Sequence, residues 1–221
     1  MTEVIESENF VDDAVSIISS ELTKAVESKK RLSLCGGNTP RPIYEALSKE
    51  DIDWANLELT FGDERCVPPE HEDSNFRMAY EALISKVPIN ESDVIRIKGE
   101  LDPNSAAVDC EVELKKRSPN AIYEHDLLLL GMGGDGHTAS LFPETAALNE
   151  NKRWVIENYI PQMNCNRITL TYPLINASKR ILILVTGEEK IKLVRGILSG
   201  ESDFPISKVR PSDGKVTWLL G

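Results

Sequence analysis

Residues 126–131 read DLLLLG, and this segment is the clearest candidate for a buried strand in the 221-residue chain. Four consecutive leucines leave no polar face, as is typical of a strand covered on both sides in a parallel sheet. A glycine-rich loop, GMGGDGHTASLFP, begins at the end of this run and covers residues 131–143. The segment therefore predicts an interior strand that leads directly into a loop containing an aspartate and a histidine, residue types that often serve in catalysis.

Strands and helices alternate on both sides of this segment. Further strands are predicted at LSLC (32–35), LELTF (57–61), VIRI (94–97), RITLT (167–171), RILILV (180–185) and VTWLL (216–220). Helices are predicted over 9–28, 40–49, 74–86, 104–117 and 187–198, the first with Val11, Val15, Ile18, Leu22 and Val26 on one face. Repeated alternation predicts an α/β fold, with a mostly parallel sheet and helices on both faces. Without a long linker or repeat, residues 1–221 are expected to form a single domain.

The charge balance narrows the range of partners. The chain has 25 Lys and Arg against 36 Asp and Glu, so its formal net charge is −11. We expect neither nucleic acid nor a membrane as a partner, because both require basic surfaces. An anionic small molecule would need a local group of basic side chains or backbone N–H donors.

The localisation and metal content are predicted from two further features. The first ten residues, MTEVIESENF, are acidic and lack an apolar core, and no apolar run is long enough to span a membrane. The four cysteines, at 35, 66, 110 and 165, have neither zinc-ligand nor disulfide-framework spacing. We therefore expect a cytoplasmic protein with free, mostly buried thiols and no metal site.

Ligands of parallel sheets bind beyond the carboxyl ends of the strands, and the first candidate segment there is CGGNTPRP (35–42). Gly36 and Gly37 allow a close approach of the backbone to a ligand, and Asn38 follows them. Thr39 is suited to cap a helix that begins with Pro40. The free N–H groups of the first helical turn would then bind an anion.

The second candidate segment is FGDER (61–65), where Asp63, Glu64 and Arg65 follow a strand. A carboxylate beside a guanidinium can hold an ionised acid and position an anion. The alternative is a surface charge cluster. Residues 73–75, DSN, are interpreted as the cap of the next helix, and His71 as a surface residue.

The third candidate is the loop 131–143 itself. Asp135 and His137 lie two residues apart in it, and a carboxylate can fix the tautomer of an imidazole that acts as a general base. The alternative is that Asp135 caps a helix and His137 is incidental. His125 precedes the strand and is predicted at its opposite end.

The same loop permits a nucleotide-binding interpretation. Gly131, Gly133 and Gly136 match G-x-G-x-x-G after a strand, with Glu157 near the distance of a ribose-binding acid. Pro143 argues against a long helix after the loop, and Asp135 would repel a pyrophosphate. Dinucleotide binding is therefore a minor alternative.

Two basic residues complete the candidate site. Arg167 opens the segment RITLT, and Lys190 lies in the first turn of the helix after RILILV. A lysine is disfavoured there by the helix dipole, so Lys190 suggests a bound anion.

Five segments in this order resemble the 6-phosphogluconolactonase family, within the wider group of sugar-phosphate isomerases and glucosamine-6-phosphate deaminases. They are GGNTP (36–40), GDER (62–65), GDGHTASLFP (134–143), NRITLTYPLIN (166–176) and VTGEEK (185–190). The resemblance implies a Rossmann-like three-layer sandwich of the sugar-phosphate isomerase type. It also implies hydrolysis of 6-phospho-D-glucono-1,5-lactone to 6-phospho-D-gluconate in the oxidative pentose phosphate pathway, without metal or organic cofactor.

The resemblance also implies roles for individual residues. The phosphate would be held by a set that joins the first loop to the two basic residues: Gly36, Gly37, Asn38, Thr39, Arg167 and Lys190. His137 would activate water, Asp135 would orient His137, and Arg65 would steady the substrate or the developing oxyanion, with Asp63 in the same catalytic group. Asn38 departs from the serine usual in the family.

Three other functions stay open at this point. The deaminases of the wider group resemble this chain, but they carry a catalytic Glu where this chain has Phe142, and Tyr where it has Arg65. A non-catalytic sugar-phosphate sensor and a dinucleotide-dependent oxidoreductase are the others. We expect a small sugar-phosphate lactone as the partner and a monomer or weak homodimer as the assembly.

Overall fold

A computed structural model describes residues 2–24, 28–201 and 203–221, and strands and helices alternate through these ranges. The strands are β1 (Thr2–Glu6), β2 (Lys30–Leu34), β3 (Leu57–Phe61), β4 (Asp63–Arg65), β5 (Leu127–Gly131), β6 (Val155–Ile160), β7 (Cys165–Leu170), β8 (Arg180–Val185) and β9 (Lys215–Leu220). The α-helices are α1 (Phe10–Leu22), α2 (Pro40–Leu47), α3 (Asn75–Ala82), α4 (Pro103–Arg117), α5 (Tyr172–Ile175) and α6 (Glu188–Leu198).

Six strands form one fully parallel sheet in the order β1-β9-β8-β5-β2-β3. Its centre is the pair β5 and β8, in which Leu128 lies opposite Ile181 and Leu130 opposite Ile183. The side chains of Leu127–Leu130 are completely buried. The predicted three-layer α/β fold with a mostly parallel sheet is confirmed.

A second, antiparallel sheet has the order β4-β7-β6. The predicted strand RITLT belongs to this sheet, begins two residues earlier at Cys165 and ends at Leu170. Its pairing with β4 places Arg65 opposite Arg167 and Asp63 opposite Thr169. Two segments about a hundred residues apart in sequence are thereby joined next to the carboxyl end of β3.

The helices cover the sheets with their apolar faces. In α1 the buried residues are Ala14, Val15, Ile18 and Leu22, and this face packs on β5 and β9. The next helix, α2, contacts both α1 and α3, while α4 packs on β6 and β7 of the small sheet. Both sheets share one continuous hydrophobic cluster.

Several predicted boundaries are corrected by the structure. The helix predicted over 9–28 ends at Leu22, and Val26 lies outside the described residues. The helix predicted over 74–86 ends at Ala82 and is followed by a 3₁₀ turn, Ile84–Lys86.

The strand predicted at 94–97 is wrong. Only a single bridge joins Val94 to Leu59 of the edge strand β3, with the Ile95 N–H donating to the Leu59 carbonyl at 2.8 Å. A 3₁₀ turn ends at Asp93 and another turn follows at Gly99, so the extended stretch is too short for a ladder. Its apolar residues reflect packing, because Ile95 and Ile97 are buried.

The structure also shows the state of the four cysteines and the character of the helices. All four cysteines are free; Cys35 and Cys110 are buried, and Cys66 and Cys165 are half-buried. Burial raises the pKa of both the Cys35 and the Cys110 thiol to about 12. Over the described ranges, none of the helices has the length and apolar character needed to cross a membrane.

Candidate active site

A cavity of about 320 Å³ opens beyond the carboxyl ends of the parallel strands. Nine of the ten predicted site residues line it: Gly36, Gly37, Asn38, Thr39, Asp63, Arg65, His137, Arg167 and Lys190. The tenth, Asp135, contacts His137. The fold thus assembles the three candidate segments and the two basic residues around one space.

The imidazole of His137 is held on three sides. Its Nδ1 lies 2.5 Å from Asp135 Oδ1, and its ring stacks on Phe142 with centroids 3.9 Å apart and planes inclined by 20°. A Cβ atom at Gly133 would lie 2.2 Å from His137 Cε1, so only glycine leaves room for the ring. With Nδ1–H donating to the carboxylate, Nε2 is the nitrogen that can accept a proton.

The loop that carries His137 has an unusual backbone. Gly136 has φ +72°, and Ala139, a residue with a side chain, has φ +47°. Such a conformation is disfavoured for alanine and is found mainly where the surrounding structure enforces it, as at functional sites. Here Thr138 Oγ1 donates to the Gly131 carbonyl at 2.8 Å, and the Gly133 N–H donates to the His137 carbonyl at 2.9 Å.

The loop after β2 leads into α2 as predicted, with Pro40 as the first helical residue. Gly37 has φ +98°, a left-handed conformation that favours glycine. Thr39 is the N-cap residue, as predicted, but its side chain makes no capping hydrogen bond. Thr39 already has helical backbone angles, and its Oγ1 instead pairs with Thr186 Oγ1 at 3.1 Å. This contact joins the loop after β2 to the loop after β8.

Three cations of the cavity have no carboxylate partner within the described residues. Arg65 Nη1 donates to the Asp73 carbonyl at 2.5 Å, and Lys190 Nζ donates to the Met132 carbonyl at 2.9 Å. Arg167 Nη2 donates to the thioether sulfur of Met163 at 3.7 Å.

Two of these cations also lie directly opposite each other. Arg65 and Arg167 face each other across the β4–β7 pair. Like charges in this relation repel, and an anion between them would remove that cost. The buried Arg65 Nε, which has no hydrogen-bond partner among residues 2–24, 28–201 and 203–221, adds a further donor.

The carboxylate of Asp63 is engaged by protein groups. Its Oδ1 accepts from Asn75 Nδ2 at 3.0 Å and its Oδ2 accepts from Ser140 Oγ at 2.6 Å. Asn75 packs against Gly36 so closely that a Cβ there would lie 1.9 Å from Asn75 Oδ1. Asp63 therefore links the loop after β2 to the loop that carries His137.

Sequence reasoning missed the parts that Asn75 and Ser140 play in this link. Asn75 belongs to the predicted capping segment, whereas the cap is Ser74, whose Oγ accepts from the Arg77 N–H at 3.1 Å. Glu64 also binds this helix end, accepting from the N–H groups of Asn75 and Phe76 at 2.7 and 2.8 Å. Burial raises the pKa of Glu64.

The other two histidines are placed as predicted. His125 precedes β5, is fully buried at the opposite end of that strand, and bonds through Nε2 to Thr60 Oγ1 at 2.9 Å. Burial lowers its pKa to about 3. His71 is exposed, and its Nδ1 accepts from the Asp73 N–H at 3.1 Å.

The geometry does not favour the nucleotide-binding alternative. After Gly136 the chain runs through turns to Pro143, and the next element is a short 3₁₀ turn, Ala146–Asn149, rather than a helix that could bind a pyrophosphate. Glu157 lies within β6 of the small sheet. In the part of the chain that the structure describes, no three His, Cys, Asp or Glu residues are grouped to hold a metal ion.

Residues 5–218 match the family described as glucosamine-6-phosphate isomerases/6-phosphogluconolactonase. The chain is 35% identical over 227 residues to a 6-phosphogluconolactonase of Synechocystis sp., covering 98% of this chain and 93% of that protein. It is also 35% identical to the 6-phosphogluconolactonase of Haemophilus influenzae, covering 92% and 88%.

A solved structure supports the same assignment. The crystal structure of 6-phosphogluconolactonase from Thermotoga maritima superimposes with a TM-score of 0.89 at 31% identity, covering 100% of both chains. With the family match and the two relatives, it shows that this chain belongs to the glucosamine-6-phosphate isomerase/6-phosphogluconolactonase family.

Proposed function

We propose that this chain hydrolyses 6-phospho-D-glucono-1,5-lactone to 6-phospho-D-gluconate, as a step of the oxidative pentose phosphate pathway, with water activated by His137 and without a metal. One observation carries the proposal. The His137–Asp135 pair lies at the same cavity as Arg65, Arg167 and Lys190, three cations without carboxylate partners in the described chain. A site of this kind combines a base with an anion anchor.

The phosphate anchor consists of the loop after β2 together with Arg167 and Lys190. Gly36, Gly37, Asn38 and Thr39 supply backbone donors and small polar side chains at the start of α2. The two cations supply the charge that a phosphate dianion requires. Because the anchor is remote from the reacting carbon, its binding energy orients the lactone carbonyl towards His137.

In the proposed reaction, His137 Nε2 accepts a proton from water as the water oxygen attacks the lactone carbonyl. The resulting tetrahedral oxyanion is stabilised by Arg65. The ring oxygen then leaves and takes the proton from the imidazolium. Asp135 holds the imidazole in the required tautomer and stabilises its charged form.

Direct attack by water is supported by the state of the alternative nucleophiles in the cavity. Ser140 Oγ donates its proton to the carboxylate of Asp63, which is also held by Asn75, and no histidine is hydrogen-bonded to this hydroxyl in the described structure. The pKa of the Cys35 thiol, raised to about 12 by burial, leaves almost no reactive thiolate at neutral pH.

Lactone hydrolysis is favoured over the deaminase reaction by Phe142. Its ring is 6% exposed and packs on His137, where the ring-opening chemistry of a deaminase needs a further acid–base group. We also propose that residues 1–221 form one catalytic domain that acts on a small molecule.

The test is hydrolysis of 6-phosphogluconolactone compared with unphosphorylated gluconolactone, each against the spontaneous rate in buffer. We expect kcat/KM to be at least about 100-fold higher for the phosphorylated lactone, because one well-oriented charged pair contributes about 1.5–3 kcal/mol and the anchor has two. Equal rates for both lactones, or no acceleration over buffer, would refute the proposal. Saturable binding of NAD or NADP would instead revive the dinucleotide alternative.

A further inference from the structure

Met163 lies at the mouth of the cavity in an exposed position. It ends a 3₁₀ turn, Pro161–Met163, at the tip of the hairpin between β6 and β7, and its side chain is 51% exposed. It also lines the cavity. The tip is well defined, because Asn164 has φ +47° and its Oδ1 accepts from Tyr159 OH at 2.6 Å. Met163 is therefore exposed to solvent and also borders the cavity.

The sulfur of Met163 is the side-chain partner of Arg167, with Sδ 3.7 Å from Nη2. A thioether is a weak hydrogen-bond acceptor, so it steadies the guanidinium without occupying its donors. The other methionines of the described chain are less accessible, since Met132 is 5% exposed and Met78 is partly buried against the core.

We propose that Met163 is an oxidation site through which peroxide weakens phosphate binding at this cavity. In the reaction the O–O bond of hydrogen peroxide breaks and one oxygen forms an S–O bond with the thioether. The sulfur is oxidised by two electrons to the sulfoxide, and the peroxide is reduced to water. The inference rests on the proposed function, because it takes Arg167 as a phosphate ligand.

The effect follows from the change in the acceptor beside Arg167. A sulfoxide oxygen is a much stronger acceptor than a thioether sulfur, so the guanidinium would donate to it and be drawn towards the cavity mouth. Substrate phosphate would then compete with Met163 for the same N–H groups. The contacts that hold His137 are made with Asp135, Phe142 and Gly133, so oxidation of Met163 would not change them. Oxidation should therefore raise KM more than it lowers kcat.

The experiment treats the full-length chain with hydrogen peroxide, locates the added oxygen by mass spectrometry and measures kinetics with 6-phosphogluconolactone. We expect KM to rise about threefold to tenfold on oxidation, with kcat changed less than about twofold, and methionine sulfoxide reductase to restore KM. Met163→Leu should lose this response to peroxide, while Met78→Leu should keep both basal activity and the response. Met163→Gln, with an amide oxygen near the position of the sulfoxide oxygen, should show a raised KM without peroxide.

Two outcomes would overturn the inference: an unchanged KM in protein oxidised at Met163, or the same response in Met163→Leu. A thiol reductant reverses cysteine sulfenic acids and disulfides but leaves the methionine sulfoxide, and mass spectrometry identifies any cysteine oxidised further. Burial also raises the pKa of Cys66 to about 11, which slows its reaction. Titration with inorganic phosphate before and after oxidation gives a second readout. If untreated protein has no lactonase activity, the proposed function fails, whereas a peroxide-insensitive phosphate affinity contradicts only the inference about Met163.

Discussion

The two ends of the parallel sheet use the same residue types in opposite ways. At the amino end, charged groups are paired: Glu58 Oε2 lies 3.3 Å from Arg31 Nε and accepts from Tyr123 OH at 2.9 Å, and Lys179 Nζ lies 2.8 Å from Asp126 Oδ1. At the carboxyl end, the three cations of the cavity bond to backbone carbonyls and a thioether and to no carboxylate among the residues that the structure describes. A charged side chain without a counter-charge in a cleft can pair with a ligand. The difference between the two ends therefore distinguishes charged groups that stabilise the fold from charged groups that are available to a ligand.

The same contrast holds for the two histidines that flank β5. His125 is buried before the strand and its pKa is lowered to about 3, so it stays neutral and serves the core. His137 follows the strand in a loop, paired with Asp135 and open to the cavity. Exposure to the cavity and a carboxylate partner, rather than the residue type, favour His137 over His125 as the proposed base.

The strongest test of this comparison is substitution of each histidine. We expect His137→Asn to lower kcat by about 10²- to 10⁴-fold, the usual contribution of a general base. His125→Gln, measured at pH 7.5, should leave kcat within about twofold because it lies at the opposite end of the strand and lacks contact with the cavity. The measurement is initial-rate kinetics of variants whose circular dichroism matches the parent. Near-normal activity of His137→Asn would remove it as the base.

The second test compares an unpaired with a paired cation. Arg167→Ala should raise KM for the phosphorylated lactone about 10- to 100-fold, because a charge-assisted bond to phosphate is lost. KM for unphosphorylated gluconolactone should hardly change. Lys179→Ala, which removes the pair with Asp126 at the other end, is the matched control and should leave both values unchanged. An equal effect of Arg167→Ala on both lactones would place the phosphate elsewhere.

The third test concerns stability at the amino end. Glu58→Gln removes the charge that faces Arg31 and Arg117 and should lower the free energy of unfolding by about 1–3 kcal/mol, since Arg31 loses its carboxylate partner and Arg117 keeps Glu113 alone of its two. Glu6→Gln breaks the exposed pair with Arg195 and should change it by less than about 0.5 kcal/mol. Urea denaturation measures both, and equal effects would show that burial of the Glu58 group is unimportant.

The fourth test concerns the pH dependence of stability contributed by His125. Its pKa is about 3 in the folded state and 6.5 in an ordinary environment, so between these values the unfolded chain binds more protons than the folded one. The stabilisation is complete above about pH 6.5 and decreases as the pH falls towards 3, with a slope of at most about 1.4 kcal/mol per pH unit. His125→Gln lacks this slope, and urea denaturation at pH 7.5, 5.5 and 4.5 compares the two proteins. Parallel stability curves for the two proteins would contradict a buried, neutral His125.

Most of the fold could be predicted because buried strands and amphipathic helices leave apolar patterns. LLLL and ILILV are continuous apolar runs, and the strands predicted from them agree with β5 and β8 to within a residue or two. Three strands could not be found this way, and one of them, β6, reads VIENYI and mixes apolar with polar residues. The segment DER of β4 consists of three charged residues, and TEVIE of β1 is a half-exposed edge strand with few apolar residues. The single bridge at Val94 shows the reverse error, an apolar pattern without a strand.

The candidate site was predictable to the level of residues but not of contacts. Glycines and polar residues directly after strands marked the loops, and parallel strands bring such loops together. The pairing of Arg65 with Arg167 depends on an antiparallel register that no local pattern shows. The same is true of the Thr39–Thr186 contact and of the Asn75–Asp63–Ser140 link.

The contact between Gly36 and Asn75 also limits how the sequences of this family can vary. Any side chain at position 36 would occupy the space of the Asn75 amide, which in turn holds Asp63. The two positions are therefore expected to change together during evolution, with a residue larger than glycine at 36 tolerated only where 75 is smaller than asparagine. Substitutions in these two loops, which meet only in the folded protein, would then be correlated across the family.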